Sequence, residues 1–319
     1  MEIFQWEKLG LLFSPQKHSS QEWMNSFAQA PHVLQYDDYF RVYFSCRPKP
    51  DDNGQFVSYS AYVDFNDRFE VVGIANEPIF KLGNLGCFDE FGTYPVSIIE
   101  IDGKLHAYYA GWTRCESVPF NTAIGMGISD DGGNTFQKIG DGPILSYSID
   151  EPFVISGPKI RKYNDLYYLF YIAGSEWILD NDKPEPVYKI RMATSHDGLH
   201  FEKKNINLIE SKTEFEAQAS PDVFFKNGKY HMFFCYRGGK NYRTKEHGYR
   251  IGYAYSTDLI SWIREDQKAG ITVSENDFDN EMVSYPHIFE RNNSIYMLYL
   301  GNGVGREGFG GAILKNDLI

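Results

Sequence analysis

Apolar and polar positions alternate along this chain in runs of strand length, and the runs recur at a nearly fixed interval. Five times a proline opens an apolar run, a short polar turn follows, and an aromatic-rich run returns. The prolines are Pro31, Pro95, Pro158, Pro221 and Pro286, separated by 64, 63, 63 and 65 residues. Aligned on them without gaps, the segments read PHVLQYDDYFRVYFSCR, PVSIIEIDGKLHAYYAG, PKIRKYNDLYYLFYIAG, PDVFFKNGKYHMFFCYR and PHIFERNNSIYMLYLGN. The thirteenth residue after each proline is Phe44, Tyr108, Tyr171, Phe234 or Tyr299. Such runs predict paired strands, and one unit of this size cannot bury both of its faces. The pattern predicts a radial all-β array, a five-bladed β-propeller, occupying residues 1–319 as one domain.

Each unit continues into a third and fourth strand, as in NTAIGMGISDDGGNTFQKI, YKIRMATSHDGLHFEKK and YRIGYAYSTDLISWIRE. Ser129, Ser195 and Ser256 open Ser-x-Asp corners between those strands, where Asp and Gly suit the turn backbone and serve the fold. The last unit supplies only three strands, ending in GFGGAILKNDLI, while the N-terminal FQWEKLGLLF belongs to no repeat. Residues near Ile3 to Phe13 are therefore expected to complete the last blade and close the ring. The short turns YDD, IDGK, YND, KNGK and RNN fall on one rim. The longer connections between second and third strands, at about 47–56, 113–121, 175–187, 238–248 and 301–308, fall on the other, where function is expected.

Composition narrows the partners. A formal net charge of −12 opposes nucleic acid and anionic membrane. No apolar run approaches a membrane span, and MEIFQWEKLG lacks the basic start of a secretory signal, so a cytoplasmic location is expected. Cys46, Cys87, Cys115 and Cys235 show no CxxC spacing, and HExxH spacing is absent. Neither a metal site nor another cofactor is expected.

On the functional rim, the fifth residue before each proline is Ser26, Glu90, Phe153, Glu216 or Glu281, with Asp89 and Asp279 nearby in CFDEFGTYP and DFDNEMVSYP. The sixteenth residue after it is Arg47, Gly111, Gly174, Arg237 or Asn302, and Arg114 lies just beyond that register. Equivalent positions in a radial array point to a common axis, so carboxylates and guanidinium groups are expected to converge with Trp112, Trp177, Tyr94 and Tyr285 around one depression. Paired carboxylates divide acid and base roles, and aromatic faces suit sugar rings. Asp89 and Glu281 are the first choices for acid and base, with Glu216 in support. Directly after the prolines, His32, Lys159, Asp222 and His287 place polar groups near the axis. His32, Asp222 and His287 are candidates for contacting substrate or holding an ion, against the alternative of a hydrogen-bonded channel lining.

The phrases FDEFGTYP, NTAIGMGISDDGGNTF, YRIGYAYSTD, EMVSYPHI and GNGVGREGFGGA resemble the five-bladed propeller glycoside hydrolases and phosphorylases of families 32, 43, 62, 68 and 130. They look closest to glycosidase-like propellers of bacterial surface-polysaccharide gene clusters. In the family 43 type an Asp directly precedes a blade-opening proline. Here those positions hold Ala30, Tyr94, Gly157, Ser220 and Tyr285, so the usual catalytic trio does not carry over. The phosphorylase resemblance implies a cationic phosphate site, which Arg47, Arg114 and Arg237 would imitate. The function expected is a glycan-active enzyme acting on a small or activated sugar, anionic because guanidinium forks suit carboxylate and phosphate: an acidic sugar, a sugar phosphate or a nucleotide sugar. The alternative is a non-catalytic carbohydrate-binding or scaffolding propeller.

Overall fold

Every proline of the repeat interrupts the first strand of its sheet, because it has no N–H to give the ladder. The pairing register breaks across it between Gln29 and His32, Thr93 and Val96, Ser156 and Lys159, Ala219 and Asp222, and Ser284 and His287. In four blades the residue before the proline sits in the left-handed region, at Ala30, Gly157, Ser220 and Tyr285, with φ between 50° and 63°. A bulge of this kind turns side chains away from strict alternation. Residues before the proline can then face the rim while those after it face the axis.

The computed structural model, which describes residues 3–318, contains five four-stranded antiparallel sheets. Blade 1 comprises Ser26–Gln35, Phe40–Arg47, Tyr59–Phe65 and Val71–Ile74. Blade 2 comprises Gly92–Ile101, Lys104–Arg114, Phe120–Ser129 and Gln137–Lys138. Blade 3 follows with Phe153–Tyr163, Leu166–Asp180, Lys183–Ser195 and Glu202–Lys203, and blade 4 with Ala217–Lys226, Lys229–Arg237, Arg250–Ser256 and Ile263–Arg264. In blade 5, Ser284–Arg291, Ser294–Leu300 and Phe309–Leu314 are completed by Trp6–Phe13, which pairs with the third strand from Trp6 opposite Leu314 to Phe13 opposite Phe309. The expected ring closure is observed. First strands of neighbouring blades touch around the axis.

The repeated aromatics Phe44, Tyr108, Tyr171, Phe234 and Tyr299 are all fully buried between blades. Tyrosines also stitch successive blades: Tyr43 donates to the Gly133 carbonyl at 2.9 Å and Tyr108 to the Gly198 carbonyl at 2.5 Å. Both acceptors lie in the Ser-x-Asp corners. In those corners Ser129, Ser195 and Ser256 each donate to the Asp two residues on, at 2.7, 2.8 and 2.9 Å. Each hydroxyl also accepts a turn N–H, so these corners hold the turn between the third and fourth strands.

One connection differs from expectation. The stretch 175–187 is not a loop: the second and third strands of blade 3 run on to Asp180 and from Lys183, joined by Asn181 and Asp182 at φ 50° and 63°. Asn and Asp tolerate that left-handed pair, so the strands lengthen instead of breaking. The result is a β-hairpin standing above the rim. No helix among the described residues is long and apolar enough to cross a membrane.

Candidate functional site

The longer connections and the residues before two prolines enclose a cavity of about 1070 Å³ on the expected rim. Tyr94 and Tyr285 enter it from the positions preceding Pro95 and Pro286, their ring centres 6.5 Å apart. Tyr249, opening the third strand of blade 4, lies 6.2 Å from Tyr285 and shares a short hydroxyl–hydroxyl hydrogen bond with Tyr188 of blade 3. Burial pushes the Tyr94 phenol up to about 12 and those of Tyr249 and Tyr285 well above their ordinary value. The tyrosines therefore stay protonated and can donate to a ligand oxygen.

Two arginines from the same register enter this space. Arg237 is 2% exposed; its Nη2 donates to the Pro186 carbonyl at 2.8 Å, its Nη1 to the Gly238 carbonyl at 3.0 Å and its Nε to Tyr249 Oη at 3.3 Å. The guanidinium lies 3.8 Å over the Tyr242 ring. Arg47 lies 4.5 Å over Phe27 and 5.3 Å from Phe56, and its buried Nε has no hydrogen-bond partner. Burial, with a smaller contribution from the neighbouring Arg306 charge, pulls the Arg47 guanidinium below its ordinary value. Among the described residues, neither Arg47 nor Arg237 nor Arg306 forms an ion pair with a carboxylate. Arg47 and Arg237 are thus largely desolvated with no acid beside them, while Arg306 is exposed.

Of the three carboxylates expected to act together, Glu281 alone lines the cavity. It is exposed, and its backbone N–H donates to Asn302 Oδ1 at 2.8 Å, which fixes the segment bearing it. Asp89 and Glu216, each 1% exposed, are turned elsewhere. Asp89 accepts from Tyr109 Oη at 2.8 Å and pairs with Lys138 of the fourth strand. Burial, then the Asp89 charge, raises the Tyr109 phenol, which keeps it a donor. Glu216 pairs with Arg264 of the fourth strand at 2.7 Å and accepts from Gln218 at 2.8 Å. The same device recurs where Glu151 meets Tyr171 and Lys203, and where Asp279 meets Tyr299 and Lys8. In each, the acid of the entering loop reaches outward along the blade to its outermost strand, away from the axis.

The remaining expected residues divide by location. Trp112 donates to Ser58 Oγ at 2.7 Å and packs near Phe91, while Trp177 meets Phe120 edge-on at 5.6 Å in the raised hairpin. Arg114 donates to the Phe56 carbonyl at 3.0 Å and lies 3.9 Å from Asp51. None of the three lines the cavity. They fill gaps between neighbouring connections. His32, Lys159, Asp222 and His287 form a buried polar belt on the axis: Ile98 N–H donates to His32 Nε2 at 3.0 Å, Val33 N–H to His287 Nε2 at 2.9 Å, and His287 Nδ1 lies 3.2 Å from Asp222. Lys159 lies 3.8 Å from Asp222, and Arg161 pairs with it more closely. Burial alone would raise the Asp222 carboxyl, but His287, Arg161 and Lys159 outweigh it and hold the group well below its usual range. Burial pulls Lys159 down to about 8 and His287 to about 4. Among the described residues no cluster is placed to hold a metal ion.

Several lining residues were not singled out in the sequence: Tyr188, Tyr249, Tyr242, Glu185, Arg243 and Arg306. A signal existed for two of them, since Tyr188 and Tyr249 open the matching phrases YKIRMATS and YRIGYAYS. Glu185 accepts from Tyr242 Oη at 3.0 Å and pairs with Arg243, tying the blade 3 hairpin to the 238–248 connection of blade 4. Such a contact across two distant segments leaves no periodic trace.

Comparison with known proteins places this geometry. No protein-family model matches the chain. Among solved structures, a glycoside hydrolase is similar at a TM-score of 0.77 with 14% identity, covering 99% of this chain and 93% of its own. A β-1,2-mannobiose phosphorylase from Listeria innocua gives 0.70 and 15%, covering 98% and 96%, and a thermostable family 43 glycoside hydrolase 0.63 and 15%, covering 91% and 89%. At that identity the likeness is one of fold, the five-bladed propeller expected from the repeat. The uncharacterized proteins Rv1502 (strain ATCC 25618 / H37Rv) and MT1551 (strain CDC 1551 / Oshkosh) of Mycobacterium tuberculosis are each 33% identical over 313 residues, covering 98% of this chain and 99% of theirs. Identity at that level over nearly the whole of both chains shows that this protein belongs to the Rv1502 family.

Proposed function

We propose that the protein is a glycan-active propeller enzyme whose substrate is a small or activated anionic sugar held in the rim cavity. The observation that carries this reading is the pair Arg47 and Arg237, both lining the cavity and both without a carboxylate. A neutral oligosaccharide would leave two desolvated guanidinium groups uncompensated; a carboxylate or phosphate satisfies them through charge-assisted hydrogen bonds. Tyr94 and Tyr285 offer ring faces and protonated hydroxyls beside them. Glu281, lining the same space without an ion pair among the described residues, is the group assigned to proton transfer. The fold shared with a glycoside hydrolase and a mannobiose phosphorylase supports sugar chemistry.

A second reading, a non-catalytic sugar-binding propeller, is favoured by one observation: Asp89 and Glu216 are engaged in ion pairs within their own blades. The two readings separate in one series. Matched neutral and anionic sugars are screened by thermal shift at low and high salt, and the ligands that bind are then followed for product. Enzymatic action requires turnover of a bound anionic sugar, with Glu281→Gln lowering the rate at least about 10²-fold while binding persists. Binding without product in wild type supports the second reading, and equal binding of neutral and anionic sugars removes the anionic assignment.

A further inference from the structure

Besides the exposed Lys183 on the blade 3 hairpin, the lining cations without an ion pair among the described residues are Arg47, Arg306 and Arg237, and they stand at two stations. At the first, Arg47 and Arg306 both lie against Phe27, 4.5 and 5.8 Å from its ring centre, on blades 1 and 5. The two positive charges oppose each other there, and a buried Nε of Arg47 is left without a partner. At the second, on blade 4, Arg237 lies 3.8 Å over Tyr242, held by the Pro186 and Gly238 carbonyls. Between them runs an aromatic floor. The Arg237 guanidinium is 5.8 Å from the Tyr249 ring, Tyr249 is 6.2 Å from Tyr285, and Tyr285 is 6.5 Å from Tyr94, which lines the same cavity as Arg47 and Arg306. The lining acids do not fill either place: Glu185 is taken by Arg243 and Tyr242, and Glu116, Glu281 and Glu307 are exposed.

Resting on the anionic-sugar reading, we infer that the ligand carries two separated anionic groups, one for each station, with an uncharged sugar ring spanning Tyr285 between them. A phosphorylated acidic sugar has this form, with a carboxylate at one end and a phosphate ester at the other. A single anionic group fills one station and leaves the guanidinium of the other without an acid, so the second charge should add affinity of its own.

The test is calorimetric titration of four probes that differ only in charge: glucose, glucuronate, glucose 1-phosphate and glucuronic acid 1-phosphate. Wild type is compared with Arg306→Ala, an exposed position, and with Arg237→Gln and Arg237→Lys; the last keeps the buried charge if the Gln variant fails to fold. The doubly charged probe is expected to bind at least about tenfold more tightly than either singly charged one, the scale of one charge-assisted contact. Arg306→Ala, with Arg47 still in place, should lower the advantage of one anionic group; Arg237→Gln should erase that of the other and Arg237→Lys, which keeps the charge but loses the planar fork, should lower it, each leaving the remaining group's contribution intact. Equal affinity for singly and doubly charged probes, or loss of the same group's contribution in both sets of variants, overturns the two-station inference while leaving an anionic ligand. Glucose binding as well as the charged probes, or none of the four binding, overturns that underlying reading too.

Discussion

At the scale of single residues, the same side-chain chemistry has opposite uses in the entering loops of different blades. Asp89 is an acid in a phrase expected to face the rim that bears the cavity, yet its partners are Tyr109 and Lys138. Asp89→Asn is therefore expected to cost about 3–5 kcal/mol of stability, the scale for breaking a buried ion pair, by leaving Lys138 uncompensated. Denaturant titration measures this, and an unchanged midpoint would return Asp89 to the list of chemical candidates. The axial belt supplies a pH prediction. His287 takes up a proton below about 6.5 when unfolded but, because burial pulls it down, only below about 4 in the fold. Between those values the unfolded chain binds more protons, so stability falls as pH falls through that window. His32, lowered in the same direction by burial, adds to the slope. Melting temperatures measured from pH 7 down to pH 4 should decline, and His287→Gln, which keeps an acceptor for Val33 N–H, should flatten the decline. An equally steep decline in the variant would place its origin elsewhere.

Elements explain why part of the site was legible in the sequence and part was not. The proline register located Tyr94, Tyr285, Arg47, Arg237 and Glu281 because those positions depend only on where a strand begins or ends. It misplaced Asp89 and Glu216 because each lies in a loop that folds back along the blade, a path set by the partner on the fourth strand. A subtler period would have exposed them. The residue twenty positions after each buried acid is an aromatic of the second strand, in the pairs Asp89 and Tyr109, Glu151 and Tyr171, Glu216 and Tyr236, and Asp279 and Tyr299. In blade 1 the same offset joins Met24 to Phe44, both buried in one apolar cluster. An acid that shares its register with a buried methionine belongs to the packing of its blade. The raised hairpin of blade 3 was read as a loop because its polar sequence hides the strand period; its pairing continues through Trp177 opposite Pro186. Its link to blade 4 is testable. Glu185→Gln weakens the contact with Arg243, so trypsin should cut faster after Arg243 and Lys245, which are exposed. Unchanged cleavage kinetics would show that Asp180, which accepts from Asn241 N–H at 2.8 Å, holds the connection by itself.

For the whole molecule, the charge excess and the site charge point in different directions, and the fold reconciles them. A net charge of −12 is spread over the chain, while the inward face of one cavity gathers guanidinium groups. A radial array allows this because positions far apart in sequence meet at one mouth. Closure of the ring carries its own prediction. Removing residues 1–13 strips the fourth strand from blade 5, exposes the Phe309–Leu314 edge and deprives Asp279 of Lys8. Light scattering should report aggregation, and a monomeric truncated chain with unchanged melting behaviour would deny that closure stabilises the ring. Synthesis adds a further constraint. Blades 1 to 4 are each built from one continuous stretch and can form as they leave the ribosome, but Trp6–Phe13 has no partner until Phe309–Leu314 has been made. At about 5–20 residues per second that strand waits roughly 15–60 s. Its own residues suit the delay: Glu7 and Lys8 place charge on an unpaired edge, and Gly10 bends it at φ 79°, so it is a poor template for any strand but the one made last.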